Sequence, residues 1–475
     1  MSSRAVKPCP HDISSSSSQD EENRWLWLSS KSALLLWNEW YSYKKARTEE
    51  DSFINCQHSF DVKEQFLASL VANFIPLLIH SFAIITIIML PTTPTCLFSV
   101  MFVLFLPSAA FALATATSTT ATSIVTGANG YVGRAIVHEL LAQGRRPTEE
   151  EEQPSILCLV RSHRVTEETE YWKQAMPSER ADFLQVLPYD MLDGGKTLRA
   201  ALDKCNENGV CVYHVASVFG PTEDHKETAL QNVKGTCDVL ETVHRWRKEN
   251  NNNNPDCPCK VLVTSSMAAV RGTGQEPKNG KCYTAEDWNT ASVLGANWGA
   301  SYQWSKMESE LKATQLAKEY DIPLVTLCPS FVFGPPYGES SSFSIQLVRQ
   351  WAKGESPVQS RLLVDIRDVA KAHVMAGQSS KLQSGRLILS TDARVSSRML
   401  ADWIREVTAP QYRERIHSDD EFKGGAIPIG QQEVDAEGPL REALGTKLRT
   451  IQETMQDMTV RLLRNEIETA TVPEQ

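Results

Sequence analysis

Paired cysteines, an excess of basic charge and internal repeats are all missing from this chain of 475 residues. Its eleven cysteines are odd in number and scattered, and no CxxC pair occurs. Neither a zinc module nor a disulfide framework is signalled, and reduced, mostly buried thiols are expected. With 48 Lys+Arg against 58 Asp+Glu the formal net charge is −10. That sign argues against non-specific nucleic-acid binding, which needs basic surface to displace phosphate counterions. Collagen, coiled-coil and solenoid readings lack their repeats. An apolar content of 41% with 22% charged residues excludes global disorder.

Charge is also missing locally. From Gln65 to Gly133 there is no Asp, Glu, Lys or Arg, and His80 is the one side chain there that titrates near neutrality. Two apolar segments, Phe66–Leu90 and Cys96–Thr115, lie inside, separated by Pro91-Thr92-Thr93-Pro94-Thr95. The first has 19 apolar members among 25 residues, enough for a helix to cross a hydrocarbon core of about 30 Å. Pro107 interrupts the second. Three readings are open: a membrane anchor or hairpin, a cleavable signal, and a buried core hairpin. The signal reading rests on Ser108-Ala109-Ala110-Phe111-Ala112, which resembles the cleavage motif of algal precursors bound for secondary plastids. The anchor implies membrane association, with the endoplasmic reticulum as the expected site; the signal implies a plastid. Residues 1–64 read as an extension without a fold of its own, with an amphipathic stretch at Arg24–Lys45.

After Ala121 the pattern changes. Strands are expected at Thr122–Thr126, Ser155–Val160, Phe183–Leu187, Val210–Val215, Lys260–Thr264 and Leu324–Cys328, with helices between them. That alternation is the signature of an α/β chain with a parallel sheet. Glu149–Glu152 and the asparagine run 250–254 read as surface insertions. The first strand runs into Gly127-Ala128-Asn129-Gly130-Tyr131-Val132-Gly133 and then a helix. GxxGxxG in this setting lets backbone N–H groups of Asn129, Tyr131 and Val132 approach a pyrophosphate at a helix N-terminus. The second strand ends at Arg161, with Arg164 close behind and no carboxylate before Glu167. Guanidinium groups suit a 2′-phosphate, so NADP(H) is expected over NAD(H).

Chemistry is signalled at Ser265-Ser266, where the fifth strand ends, and at Tyr302-Gln303-Trp304-Ser305-Lys306. Tyr302 and Lys306 are four apart on a helix and share a face. A phenol of pKa about 10 needs a nearby cation to act at neutral pH, and Lys306 is expected to lower it. Ser266 can hydrogen-bond an oxygen on which charge develops.

Together with Val212–Ser217, Asn232–Thr236, Val263–Ser266, Cys328–Pro335 and Val364–His373, these motifs make the chain resemble the extended short-chain dehydrogenase/reductase (NAD-dependent epimerase/dehydratase) superfamily over roughly 122–465. The dihydroflavonol reductase, cinnamoyl-CoA reductase and 3β-hydroxysteroid dehydrogenase branch is most similar. The resemblance implies a Rossmann-type doubly wound parallel sheet at 122–340 and a smaller substrate-binding lobe within 335–475. Trp288–Ala300 would join that lobe, and Leu440–Leu463 would close it with helices. It also implies Ser266 as catalytic serine, Tyr302 as acid, Lys306 as its helper and holder of the nicotinamide ribose, and Asn232 in a proton relay. Asp190 and Met191 would sit beside the adenine, Ala216 along the cofactor trench and Pro329 near the nicotinamide. No metal is expected. The implied activity is NADPH-dependent interconversion of a small carbonyl compound and its alcohol. Alternatives on the same scaffold are a nucleotide-sugar epimerase or dehydratase and a sterol dehydrogenase; a membrane-tethered NADP-binding sensor is the non-enzymatic one. Two positions depart from the branch. Plant flavonoid reductases carry asparagine five residues past the serine, where this chain has Arg271, a cation that argues against a flavonoid substrate and admits an acidic or phosphorylated one. The Trp-Tyr-Cys run of cinnamoyl-CoA reductases is replaced by Trp298-Gly299-Ala300-Ser301.

Overall fold

The computed structural model describes residues 121–143, 155–176, 183–205, 209–250, 258–420 and 427–470. Everything read into residues 1–115, and the insertions at 149–152 and 251–254, lies outside the described residues. Among the described residues no helix is long and apolar enough to cross a membrane.

Residues Thr117–Gln475 form one compact unit. Its strands are β1 Thr122–Thr126, β2 Ile156–Val160, β3 Leu184–Pro188, β4 Val210–His214, β5 Cys259–Thr264, β6 Leu324–Pro329, β7 Phe331–Phe333, β8 Leu363–Asp365 and β9 Gly385–Leu389. The helices, in chain order, are α1 Tyr131–Gln143, α2 Val165–Ala175, α3 Lys196–Leu202, α4 His225–Asn250, α5 Met267–Val270 and α6 Trp298–Glu319. They continue with α7 Phe343–Lys353, α8 Ile366–Gln378, α9 Ser397–Val407, α10 Pro410–Arg413, α11 Glu437–Leu444 and α12 Ile451–Ala470. Seven parallel strands pair in the order β3-β2-β1-β4-β5-β6-β9, and β7 pairs with β8 in a small second sheet.

Both faces of the large sheet are covered, which is why its strands are nearly continuous in Val, Ile and Leu rather than alternating. On one face Val125, Cys158 and Leu327 pack with Ile136 and Val137 of α1 and with Val369 and Val374 of α8. On the other, Ile124, Leu157 and Val261 pack with Leu198 of α3, Val239 and Val243 of α4, and Ala313 of α6. A separate cluster holds the lobe together: Phe333, Trp351 of α7, Leu400 and Ile404 of α9, and Met455 and Met458 of α12.

The six expected strands occur within a residue of their expected bounds. The boundary near 340 does not hold for the sheet. β9 completes it beside β6, and α8 packs on it, so residues 366–389 belong to the dinucleotide-binding layer. Five residues, Gly-Arg-Leu-Ile-Leu, give too little periodicity to place a strand, and its position follows from the crossover after β8.

Candidate active site

The order of the sheet reverses at β1, with β2 on one side and β4 on the other, which opens a crevice at the strands' carboxyl ends. The glycine loop lies there. Gly127 has φ 66, a left-handed conformation suited to glycine, and its α-carbon approaches Ala216 so closely that a Cβ would stand 3.0 Å from the Ala216 Cα. A Cβ on Gly133 would run into the Gly127 carbonyl oxygen. Gly130 closes the turn by donating its N–H to Gly127 O at 2.9 Å and accepting from Arg134 N at 2.9 Å. The first turn of α1 keeps amides without intrahelical acceptors, pointing an array of donors at the crevice. This cradle fits a pyrophosphate. Asn129 is half-buried in it. The side chains of Tyr131 and Val132 pack away into the core, with the Tyr131 hydroxyl donating to Gly334 O at 2.7 Å, so the amides are what these two residues offer.

The other cofactor positions divide by exposure. Arg161 is exposed where β2 ends, and Arg164 lies within the following 3-10 turn, its guanidinium 2.6 Å from exposed Glu167. Arg161 stands in solvent and Arg164 is half-buried at the strand end where a 2′-phosphate would be read. Asp190 is exposed just past β3, its carboxylate accepting from Leu192 N at 2.9 Å. Met191 packs against Gly235 of α4. Pro329 is buried at the end of β6, opposite Leu389.

Ser266 follows β5 in extended conformation and caps α5, its hydroxyl accepting from Ala268 N at 3.1 Å. The Tyr302 phenol on α6 faces that hydroxyl, which lowers its pKa against the larger effect of burial. One turn along α6, Lys306 donates to the Thr264 carbonyl at 3.1 Å, its Nζ lying 6.0 Å from the Tyr302 ring centroid. The structure thus brings Ser266, Tyr302 and Lys306 together at the carboxyl edge of β5.

Two expectations about this group are corrected. Tyr302 was expected to be lowered by Lys306; burial instead pushes the phenol up to about 12, and burial brings Lys306 down to about 8. The phenol therefore keeps its proton at neutral pH, which is the form an acid needs. Asn232 does not offer its amide to a relay. Its Oδ1 accepts from Val218 N at 2.8 Å and its Nδ2 donates to Val218 O at 2.9 Å, so both ends of the amide pin the loop after β4. Its carbonyl accepts from Thr236 Oγ1 at 3.0 Å. Asn232 does line the same small cavity as Lys306, His214 and Ser309.

Several residues were not anticipated. Phe219, 45% exposed on the loop that Asn232 pins, lies 4.6 Å from the Tyr302 ring by centroids. With Trp298 at 6.1 Å and Phe343 at 5.7 Å from it, Phe219 forms an aromatic wall beside the phenol. Behind the site Glu310, 1% exposed, accepts from Ser265 Oγ at 2.6 Å, Thr326 Oγ1 at 2.7 Å and Arg386 Nε at 2.7 Å. Its spacing from Lys306, again four residues on α6, was the available signal. His373 donates from Nδ1 to Val369 O at 2.7 Å, so its Nε2 accepts from Thr264 Oγ1 at 2.9 Å. Burial holds that imidazole down at about 4, and it stays neutral. No group of potential metal ligands occurs among the described residues.

A glycine cradle on a doubly wound sheet, with a Ser-Tyr-Lys group at its carboxyl edge, defines a dinucleotide-dependent fold, and the comparisons agree. Residues 123–388, more than half the chain, match the NAD dependent epimerase/dehydratase family, and the protein belongs to it. It is similar to the NADPH-dependent methylglyoxal reductase of Saccharomyces cerevisiae, 24% identical over 370 residues that cover 72% of this chain and 98% of the relative. It is also similar to cinnamoyl-CoA reductase 1 of Arabidopsis thaliana, 29% identical over 282 residues, 58% of this chain and 71% of the relative. In fold it matches a crystal structure of the yeast methylglyoxal/isovaleraldehyde reductase complexed with NADPH at a TM-score of 0.58 and 22% identity. That match covers 73% of this chain and 99% of the other. Alfalfa vestitone reductase matches at a TM-score of 0.55 and 20% identity, covering 73% and 99%.

Proposed function

We propose that the protein is an NADPH-dependent reductase of ketones or aldehydes, similar to dihydroflavonol reductases. The observation that carries this is the convergence of Ser266, the Tyr302 phenol and Lys306, one helical turn along α6, at the carboxyl edge of β5 beside the glycine cradle. Relatives named as NADPH-dependent reductases support the cofactor. Bound NADPH supplies a hydride. Gly127, Gly130 and Gly133 would hold its pyrophosphate, and Arg161 and Arg164 its 2′-phosphate.

The residues then do the rest. Ser266 and Tyr302 hold the carbonyl oxygen of the substrate by hydrogen bonds, and negative charge grows on that oxygen as the carbon is reduced. Tyr302, protonated up to about pH 12, donates its proton there. The phenolate left behind is stabilised by the Lys306 ammonium, which is charged at neutral pH because it titrates near 8. Asn232 fixes the Val218–Phe219 loop, and Phe219, Trp298 and Phe343 give the substrate an apolar surface and keep water from the phenol. NADPH consumption by the purified protein against a panel of ketones and aldehydes tests this reading. Turnover supports it. Absence of turnover, with cofactor retained through purification, would favour the epimerase chemistry of the same family.

The uncharged stretch 65–115 is proposed to fasten the enzyme to the endoplasmic reticulum membrane, where an apolar carbonyl substrate would partition. N-terminal sequencing from native cells tests it: a mature protein starting at Phe111 would replace the anchor by a cleaved plastid signal.

A further inference from the structure

The lobe contains a positive charge that its own carboxylates do not neutralise. Ser266 stands at the start of α5 and Arg271 at its end, five residues on, or about 7.5 Å at helical rise. Arg394 grips Glu433 through two parallel bonds, Nε to Oε2 at 3.1 Å and Nη2 to Oε1 at 2.9 Å, and both residues are almost wholly buried. Arg271 reaches the same carboxylate loosely, Nη2 to Oε1 at 3.5 Å, and its Nε is buried without a hydrogen-bond partner. Its guanidinium also lies 5.8 Å from the Tyr283 ring centroid. Two guanidiniums therefore share one carboxylate. Arg361, bridged to Val395 beside Arg394, has Asp419 as its own counter-charge. Asp392, two residues before Arg394, turns its Oδ1 to the amides of Ala436 and Glu437 at 3.0 Å each. A surplus cation in a largely buried place, with a donor unused, is costly unless a counter-charge arrives.

We infer that Arg271, backed by Arg394, is an anion subsite that selects carbonyl substrates carrying a carboxylate at the end remote from the reacting carbon. This rests on the reductase reading. A substrate whose carbonyl sits at Ser266 and Tyr302 and whose body lies along the aromatic wall extends a second group over α5. The outer Nη groups of Arg271, whose side chain is 20% exposed, then meet a planar carboxylate that the long Glu433 contact leaves room for. Arg271 discriminates between acids and their neutral derivatives and leaves the proton transfer to Tyr302.

The test pairs β-benzoylpropionate with its methyl ester, an aromatic ketone with and without the charge. Kinetics use NADPH, and calorimetry uses the full-length protein loaded with NADP+. The wild type should favour the acid about tenfold or more in kcat/KM and in affinity, the scale of one charge-assisted hydrogen bond. Arg271→Gln should collapse that acid-to-ester ratio towards one. Equal handling of acid and ester by the wild type would overturn the subsite, as would an equal fall of both in the variant. If Arg271→Gln does not fold, the wild-type comparison decides alone, read at low and high salt, because a charge contact weakens with ionic strength. Reduction of neither compound would count against the reductase reading, and the calorimetric preference would still decide the subsite.

Discussion

Glu310 and Glu433 are equally buried, each 1% exposed, and each is gripped by an arginine, yet they serve different ends. Glu310 is saturated: Ser265, Thr326 and both Nε and Nη2 of Arg386 donate to it, binding α6, β5, β6 and β9 into one block. Arg386 spends its remaining donor on the carbonyls of Ala285 and Asp287 and lies over the Trp288 ring at 3.9 Å. Nothing in that cluster is left to bind a ligand. Around Glu433 the second guanidinium is loosely held and one of its donors is unused. A closed ion cluster positions a scaffold, whereas an open one invites a ligand.

The largest effect is expected where chemistry is removed and both glutamate clusters are left intact. Tyr302→Phe keeps the ring in the aromatic wall and deletes the proton donor, so turnover should fall by about 10²–10⁴-fold. The thermal midpoint and NADPH affinity should stay near wild type. Wild-type-like turnover in this variant would remove the proposed chemistry.

Next in size is the closed cluster itself. Glu310→Ala leaves Arg386 buried without its carboxylate, and breaking a buried pair from one side costs about 3–5 kcal/mol. Denaturant unfolding should show that loss, with activity falling because Ser265 and α6 lose their tie. Removing the weaker partner at the open cluster should cost far less, since the Arg271–Glu433 contact is long. Equal losses at the two sites would show that the distinction between closed and open is wrong.

Lys306 separates function from stability by pH. Its ammonium titrates near 8 in the free protein, so kcat/KM for reduction should decline as pH rises past 8. Stability should move the other way. Burial lowers the folded-state value below the ordinary 10.5, so between about 8 and 10.5 the unfolded chain binds this proton and the folded one does not. This group's contribution therefore rises with pH across that window. A kcat/KM profile that is flat to pH 10 would exclude Lys306 as the cation behind Tyr302.

Much of the site was legible because its residues sit at positions the chain direction alone defines. Gly127, Gly130 and Gly133 follow a β-branched strand, Ser266 ends another, and Tyr302 and Lys306 share a helical face. The same spacing extends to Glu310, but a lone glutamate on a helix ordinarily reads as solvated surface, and its partner Arg386 is 76 residues away on a strand of five. The pKa relation between Tyr302 and Lys306 was misread because burial, which raises the one and lowers the other, is a property of the assembled layers. The amide of Asn232 was misassigned for a similar reason: its partner Val218 lies on a loop whose path no periodicity fixes. The lobe was least legible. Arg271, Arg394 and Glu433 meet from three separate segments, and only the fold makes them neighbours.

The smallest effect is expected at the N-terminal end. Residues Thr117–Gln475 form a compact unit that contains the whole sheet, both of its helical layers, the glycine cradle, the Ser-Tyr-Lys group and both glutamate clusters. β1 begins at Thr122, and its pairing with β2 and β4 uses no residue before it. A fragment starting at Ser118 should therefore match the full chain in thermal midpoint and in kcat/KM for a water-soluble substrate. The full chain should sediment with membranes and the fragment should not, because the uncharged stretch 65–115 is then absent. A fragment that is folded but markedly less active would assign the first 117 residues a part in the site. A full chain that stays in the supernatant would remove the proposed anchor while leaving the comparison of the two glutamates untouched.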